Sequence, residues 1–299
     1  MPPYRLIAID VDGTLLDSSG RIGARTRAAV CAAAAAGCLI VLATGRRLRT
    51  AQPIAEALGC SPVLVCSQGA TLWRNGRLLY HQHLSVPAAR RVIEAHRACG
   101  VPVVVFGNAA TDATRDIIFV DGDWGANPRL RAYIERNAAW VRPYDEGCLT
   151  AGPVQTITLD QVERLRRLCE ELERQPQARA LYRVLYSVTQ LAGGGAVEVL
   201  HPSVSKATAL EFLCREVGIS RHEVLAIGDN VNDVEMLQFA GLGVAVANAS
   251  DEAKQAAQLV APSNDEEGVA LVLKEYVLNG RYTEGRHPAG TLSSNGGDR

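Results

Sequence analysis

The chain has 299 residues, of which 47% are apolar and 21% charged, and its net charge is −1. That length allows one large or two smaller domains, and the balanced charge gives no general attraction to nucleic acid or to an anionic membrane surface. The longest apolar stretch, residues 28–43, falls short of the roughly 20 residues of a membrane span, and residues 1–10 reach a charge too soon for a signal peptide, so a cytoplasmic protein is expected.

In chain order, the apolar run over 6–9 predicts a strand that ends at Asp10, with Asp12 two positions on. A helix over 25–36, a strand over 39–43, a helix over 47–58 and a strand over 63–66 continue a βα alternation, which implies a parallel sheet with right-handed crossovers. Residues 71–80 alternate about Asn75-Gly76, a strong hairpin signal. The middle of the chain changes rhythm. Helices over 86–99, 128–137 and 161–175 are interleaved with strands over 101–106, 117–120, 154–159, 180–189 and 196–199, which reads as an inserted α+β unit. The βα alternation then returns, with helices over 206–217, 233–239, 251–257 and 268–278 and strands over 224–227, 242–247 and 259–261. The expected division is residues 1–82 with 201–280 for one domain and 83–200 for the insertion. The tail, 281–299, is polar, rich in Gly and Ser, and expected to be disordered.

Eight cysteines are scattered with no Cys-x-x-Cys pair, which reads as reduced thiols acting mostly as small buried apolar groups. His81-x-His83 has metal-like spacing but no acidic or thiol partner close in sequence, so it reads as structural.

The chemistry gathers at strand ends. Residues i and i+2 of a strand project to one side, so Asp10 and Asp12 leave the carboxyl end of the first strand together, where open α/β sheets bind ligands. Two carboxylates so close call for a cation or a shared proton, and an all-oxygen pair suits a hard divalent ion such as Mg2+. Thr44-Gly45-Arg46, at the start of a helix, is a ready anion site. The strand over 224–227 runs into Gly228-Asp229-Asn230-Val231-Asn232-Asp233. Lys206 opens a helix, where a cation opposes the helix dipole, and a phosphate partner would explain it. Each piece alone could be an ordinary turn or helix start; in this order, and all at strand ends, they point to phosphate chemistry.

Asp10-Val11-Asp12-Gly13-Thr14-Leu15, Thr44-Gly45-Arg46, Lys206 and Gly228-Asp229-x-x-Asn232-Asp233 resemble the four motifs of the haloacid dehalogenase (HAD) phosphatase superfamily. The insertion resembles the C2 cap of the Cof-type subfamily (class IIB). Glu198 to Lys206, Gly243 to Ala249 and Ser263 to Ala270 extend the likeness over nearly the whole chain before the tail. The resemblance implies a Rossmann-like α/β core with a parallel sheet and an inserted α+β cap. It implies a Mg2+-dependent phosphomonoester hydrolase acting on a small phosphorylated metabolite, such as a sugar phosphate or phosphorylated cofactor, as a monomer or homodimer. Asp10 is implied as the nucleophile that forms an aspartyl-phosphate, and Asp12 as general acid and base. Mg2+ would be held by Asp10, the main-chain oxygen of Asp12 and Asp229, with Asp233 acting from behind. Lys206, Thr44, Gly45 and Asn232 would bind the phosphoryl oxygens. The chain departs from the subfamily pattern at Gln68, where Asn is usual, and at Ala207, where Gly is usual; Gln68 keeps the amide and is implied as a substrate contact. In the insertion, Trp124, Arg129, Arg131, Arg183 and Tyr186 offer stacking or charge for substrate choice. A phosphomutase of the same superfamily and a non-catalytic phosphate-ligand sensor are the alternatives.

Overall fold

The apolar sequence Leu6-Ile7-Ala8-Ile9 has no polar face to offer water, and it forms an inner strand, β1 (Leu6–Asp10), with every residue buried. The computed structural model describes residues 2–111, 113–149, 151–189, 194–279 and 290–291. It divides into two units, Met1–Tyr80 with Ser205–Arg299, and His81–Val204. After β1 the chain runs through α1 (Ala24–Ala35), β2 (Leu39–Ala43), α2 (Leu48–Leu58), β3 (Val63–Cys66) and the hairpin β4 (Thr71–Arg74) and β5 (Arg77–His81).

The second unit contributes α3 (Val86–Ala98), β6 (Val103–Phe106), β7 (Ile118–Asp121), α4 (Pro128–Arg136), β8 (Val141–Pro143), β9 (Gln155–Gln161), α5 (Val162–Arg174), α6 (Ala178–Leu181), β10 (Arg183–Thr189) and β11 (Gly194–Leu200). Its sheet has the order β10-β11-β9-β6-β7-β8. All pairs are antiparallel except β7 with β8. The apolar positions of α3 and α5 pack on the strands in one cluster that includes Val92, Ile93, Leu165, Leu168, Val103 and Val197. Two features were not expected from sequence. Residues 178–181 form one helical turn, so the strand predicted from 180 begins at Arg183. Val141–Pro143 pairs at the sheet's end, where a proline's missing N–H does no harm.

The chain returns with α7 (Lys206–Val217), β12 (Val224–Gly228), α8 (Val234–Phe239), β13 (Leu242–Val246), α9 (Asp251–Ala256), β14 (Leu259–Ala261), α10 (Gly268–Leu273) and β15 (Gly290–Thr291). The helix expected to reach 278 changes to a π turn from Lys274. Of the tail expected to be disordered, Gly290–Thr291 pairs in parallel with β14, and the other residues of 281–299 lie outside the described residues. The sheet of the first unit has the order β15-β14-β13-β12-β1-β2-β3-β4-β5. It is parallel from β15 to β3, and β4 turns back antiparallel. From β1 the chain crosses to β2 on one side, while β12 returns on the other. That reversal opens a crevice at the strands' carboxyl ends, the usual place for a ligand in such a sheet. Among the described residues no helix is long and apolar enough to cross a membrane.

One buried group in the second unit makes stability depend on pH. His96 on α3 is 1% exposed, its Nδ1–H donates to Val92 O at 2.8 Å, and Nε2 has no hydrogen-bond partner. Burial keeps the ring neutral and pushes its pKa down to about 4. In the unfolded chain the ring takes up a proton near ~6.5. This contribution is therefore complete above that value and is lost as pH falls towards the folded value. The gap between the two is worth roughly 3 kcal/mol. His96→Leu is expected to flatten the fall in thermal midpoint between about pH 7 and about pH 4.5. An unchanged pH profile in the variant overturns this assignment.

Candidate active site

Asp10 ends β1 and Asp12 follows in the turn, but the two carboxylates part company. Asp10 is buried, and its Oδ1 accepts a hydrogen bond from Lys206 Nζ at 2.5 Å. Asp12 is exposed, and Arg46 clasps both its oxygens, Nε to Oδ2 at 2.7 Å and Nη2 to Oδ1 at 2.5 Å. The two acids hydrogen-bond to different cations, Asp10 to Lys206 and Asp12 to Arg46, which lets the like charges stand two residues apart. In sequence Arg46 reads only as part of an anion site, and its grip on Asp12 depends on where β1 and β2 end side by side, Asp10 opposite Ala43.

Lys206 is the first residue of α7, whose start is fixed by Ser205 accepting the N–H of Thr208 at 3.1 Å. A cation there faces the positive end of the helix dipole. The sequence suggested phosphate as the compensating partner; in the structure two carboxylates take that place. Nζ donates to Asp10 and, at 2.6 Å, to Asp233 Oδ1. Asp233 is fully buried, and its other oxygen accepts the N–H groups of Asp229 and Asn230 at 3.0 and 3.1 Å. Gly69 lets the loop after β3 press on this helix start. It has φ +101°, and a Cβ on it would lie 2.1 Å from Ser205 O. Gly69→Ala is expected to lose at least ~2 kcal/mol of stability and to displace Lys206. Urea unfolding with a parallel activity assay checks this, and a variant matching the parent in both overturns it.

Asp229 stands beside the cluster, with Thr14 Oγ1 donating to its Oδ1 at 2.8 Å. Gly13, at φ +87°, leaves room for it, since a Cβ there would lie 2.5 Å from Asp229 Oδ2. Oxygens of Asp10, Asp229 and Asp233 lie within 4.8 Å of one another, and the Asp12 carboxylate is outside that group. Asp233, expected to act from behind, offers an oxygen in the same group. Three carboxylates thus meet one ammonium. Burial raises the Asp10 carboxyl well above its usual range, and Asp233 and Asp229 add to this against the pull of Lys206. Asp229 is raised by burial and then by Asp233. For Lys206, burial favours the neutral amine, but the two carboxylates outweigh it and the ammonium holds its proton more tightly than usual. The surplus negative charge, the all-oxygen donors and a buried Asp10 Oδ2 with no hydrogen-bond partner fit a hard divalent cation.

On the far side of β2, Thr44 is buried, its N–H donates to Val65 O at 2.8 Å and its Oγ1 accepts the N–H of Arg46 at 3.1 Å. Gln68 adopts φ 60° and ψ 18°. Its Oε1 accepts from Asn232 Nδ2 at 2.8 Å, and its Nε2 lies 2.5 Å from where a Gly45 Cβ would be. Gln68 therefore bridges the two segments expected to hold phosphate, and Asn232 Oδ1 is left buried without a partner. In the second unit Arg183 Nη1 donates to Val204 O at 3.2 Å, the Arg129 guanidinium lies against Gly194, and Tyr186 is exposed. His81 and His83 stack at 4.6 Å, and His83 Nδ1 meets Asn108 Nδ2 at 3.0 Å. Neither ring joins a metal-ligating group among the described residues.

Sequence reasoning missed the residues that brace the loop after β1. Asn248 Nδ2 donates to Gly13 O, and Asn264 Nδ2 to Leu16 O, both at 2.8 Å. Asp265 accepts the N–H of Ser18 at 2.7 Å. Glu267 accepts the N–H of Thr26 at 2.6 Å, which caps the start of α1 from a distant part of the chain. Their segments carried the family likeness, but no local pattern in them discloses these partners.

A model of the family described as haloacid dehalogenase-like hydrolase matches residues 7–273. The putative phosphatase YxeH of Bacillus subtilis is 29% identical over 284 residues, covering 92% of this chain and 99% of its own length. The 5-amino-6-(5-phospho-D-ribitylamino)uracil phosphatase YcsE of the same organism is 28% identical over 281 residues, covering 92% and 96%. A solved haloacid dehalogenase-like hydrolase from Bacteroides thetaiotaomicron has a TM-score of 0.76 at 24% identity, with 91% of this chain and 99% of that chain covered; this is a likeness of fold.

Proposed function

The chain belongs to the haloacid dehalogenase-like hydrolase family, and from that premise we propose that it is a Mg2+-dependent phosphomonoester hydrolase of a small phosphorylated metabolite, working through an aspartyl-phosphate at Asp10. The observation that carries this reading is Asp10 itself: a buried carboxylate at the sheet's switch point, with Oδ1 held by Lys206 and Oδ2 unpartnered. The relatives YxeH and YcsE bear phosphatase names, which supports the same chemistry. Eight free cysteines suit a reducing, cytoplasmic setting.

Asp10 attacks phosphorus, so one difficult displacement is split into two easier ones. Lys206 orients the nucleophile and stands ready for the phosphoryl oxygens, whose spread of charge makes positioning and electrostatics the main sources of rate. Asp12 gives a proton to the leaving alkoxide and takes one from the water that opens the aspartyl-phosphate. Arg46 has to release at least one Asp12 oxygen for either transfer. Thr44, the Gly45 N–H and Asn232 receive the phosphoryl group, and Gln68, which holds Asn232, sets how far that amide can turn. Bound by Asp10 and Asp229 with Asp233 adjoining, Mg2+ would supply positive charge against the phosphoryl oxygens.

The test is release of nitrophenol from p-nitrophenyl phosphate by the purified chain. Turnover is expected with Mg2+, with loss of nearly all of it in EDTA and recovery when Mg2+ is restored. Turnover indifferent to chelation, or phosphate binding with no turnover, overturns the proposal.

A further inference from the structure

Cys31 lies on α1 and Cys60 in the turn that follows α2. Cys31 Sγ donates to Leu58 O at 3.2 Å, the main-chain oxygen two residues before Cys60, and Cys31 is near enough to act on the Cys60 thiol electrostatically. Both side chains are half-buried, unlike the enclosed Cys38, Cys66 and Cys214, so a small solute can reach them. A thiol on a helix, held against the main chain two residues from a second thiol on the following turn, meets the first demand of a disulfide, which is proximity without large backbone movement.

We propose that Cys31 and Cys60 form a redox-sensitive dithiol that closes to an intramolecular disulfide by exchange with a small oxidised thiol of the glutathione disulfide class. Burial, and then the neighbouring Cys31, push the Cys60 thiol up to about 11, so Cys60 keeps its proton at neutral pH and the first attack falls to Cys31. The Cys31 sulfur gives up its proton, bonds to one sulfur of the small disulfide and displaces the other as a reduced thiol. Cys60 Sγ then attacks Cys31 Sγ, its proton passing to the second departing thiol. Two protein thiols are oxidised and one small disulfide is reduced to two thiols, with nothing else consumed. The bond fastens α1 to the far end of α2 and restricts the unfolded chain, so it stabilises the first unit. This site does not depend on the phosphatase reading and does not use its residues.

The full-length protein is equilibrated in glutathione buffers of increasing oxidised fraction, its free thiols are alkylated, and the peptides are mapped by mass spectrometry beside a thermal melt. The expected result is a linked Cys31–Cys60 peptide, a thermal midpoint higher by several degrees, and reversal by dithiothreitol. Cys31→Ser and Cys60→Ser should each lose both the link and the shift. Cys31→Ala serves as a second variant should Cys31→Ser fail to fold. A glutathione adduct on Cys31 with no linked peptide, a link between other cysteines, or a midpoint shift that persists in both variants overturns the proposal.

Discussion

Asp10→Asn is expected to reduce turnover of p-nitrophenyl phosphate by at least ~1,000-fold, because on the proposed mechanism the nucleophilic carboxylate is replaced by a poor nucleophile while the shape of the site is kept. The same substitution should leave the metal-free protein as stable as the parent or more so. The folded environment raises the Asp10 carboxyl, through burial first and then Asp233 and Asp229. Holding Asp10 ionised at neutral pH therefore opposes folding, and an uncharged amide removes that opposition. The two readouts together distinguish loss of chemistry from loss of structure. Melting curves and steady-state kinetics on the same preparation check both, and activity within tenfold of the parent rules Asp10 out as the nucleophile.

The parallel sheet was legible because its strands are buried on both faces and so read as continuous apolar runs bounded by helices, as over Leu39–Ala43 and Val63–Cys66. The hairpin was legible from Asn75-Gly76, both at positive φ. The second unit was read less well. Its one-turn helix at Ala178–Leu181 is too short to show a period, and Val141–Pro143 carries a residue that argues against a strand. In the site, residue identities were legible and pairings were not. Asp10 and Asp12 are two residues apart, yet one turns inward to Lys206 and the other outward to Arg46, because the strand ends between them. Gln68 was visible as an amide one methylene longer than usual, but its bridge to Asn232 depends on Gln68 itself taking a left-handed backbone, which a non-glycine residue does not announce. Such contacts are set by the sheet order, and they become visible only once β1, β2, β3 and β12 stand side by side.

Lys206→Met is expected to be the most destabilising single change in the site. Lys206 is 1% exposed, and its ammonium is shared by Asp10 and Asp233, themselves 5% and 0% exposed. Removing one member of a buried ionic cluster leaves the others without compensation, which typically loses ~3–5 kcal/mol. Asp233 keeps the N–H groups of Asp229 and Asn230, so the unpaired charge falls mainly on Asp10. That assignment gives the loss a direction with pH. The folded Asp10 carboxyl is already raised above its unfolded value, and without Lys206 it rises further. The folded variant then binds a proton more tightly than the unfolded chain, so its deficit relative to the parent shrinks as pH falls and grows as pH rises. Asp10→Asn placed on top of Lys206→Met should recover part of the lost stability but none of the activity, and that non-additivity measures the coupling of the pair. Urea unfolding of the parent, both single variants and the double variant, at about pH 5 and about pH 8, reads all of these at once. A double variant no more stable than Lys206→Met, or a deficit that grows on acidification, would place the unpaired charge elsewhere than on Asp10.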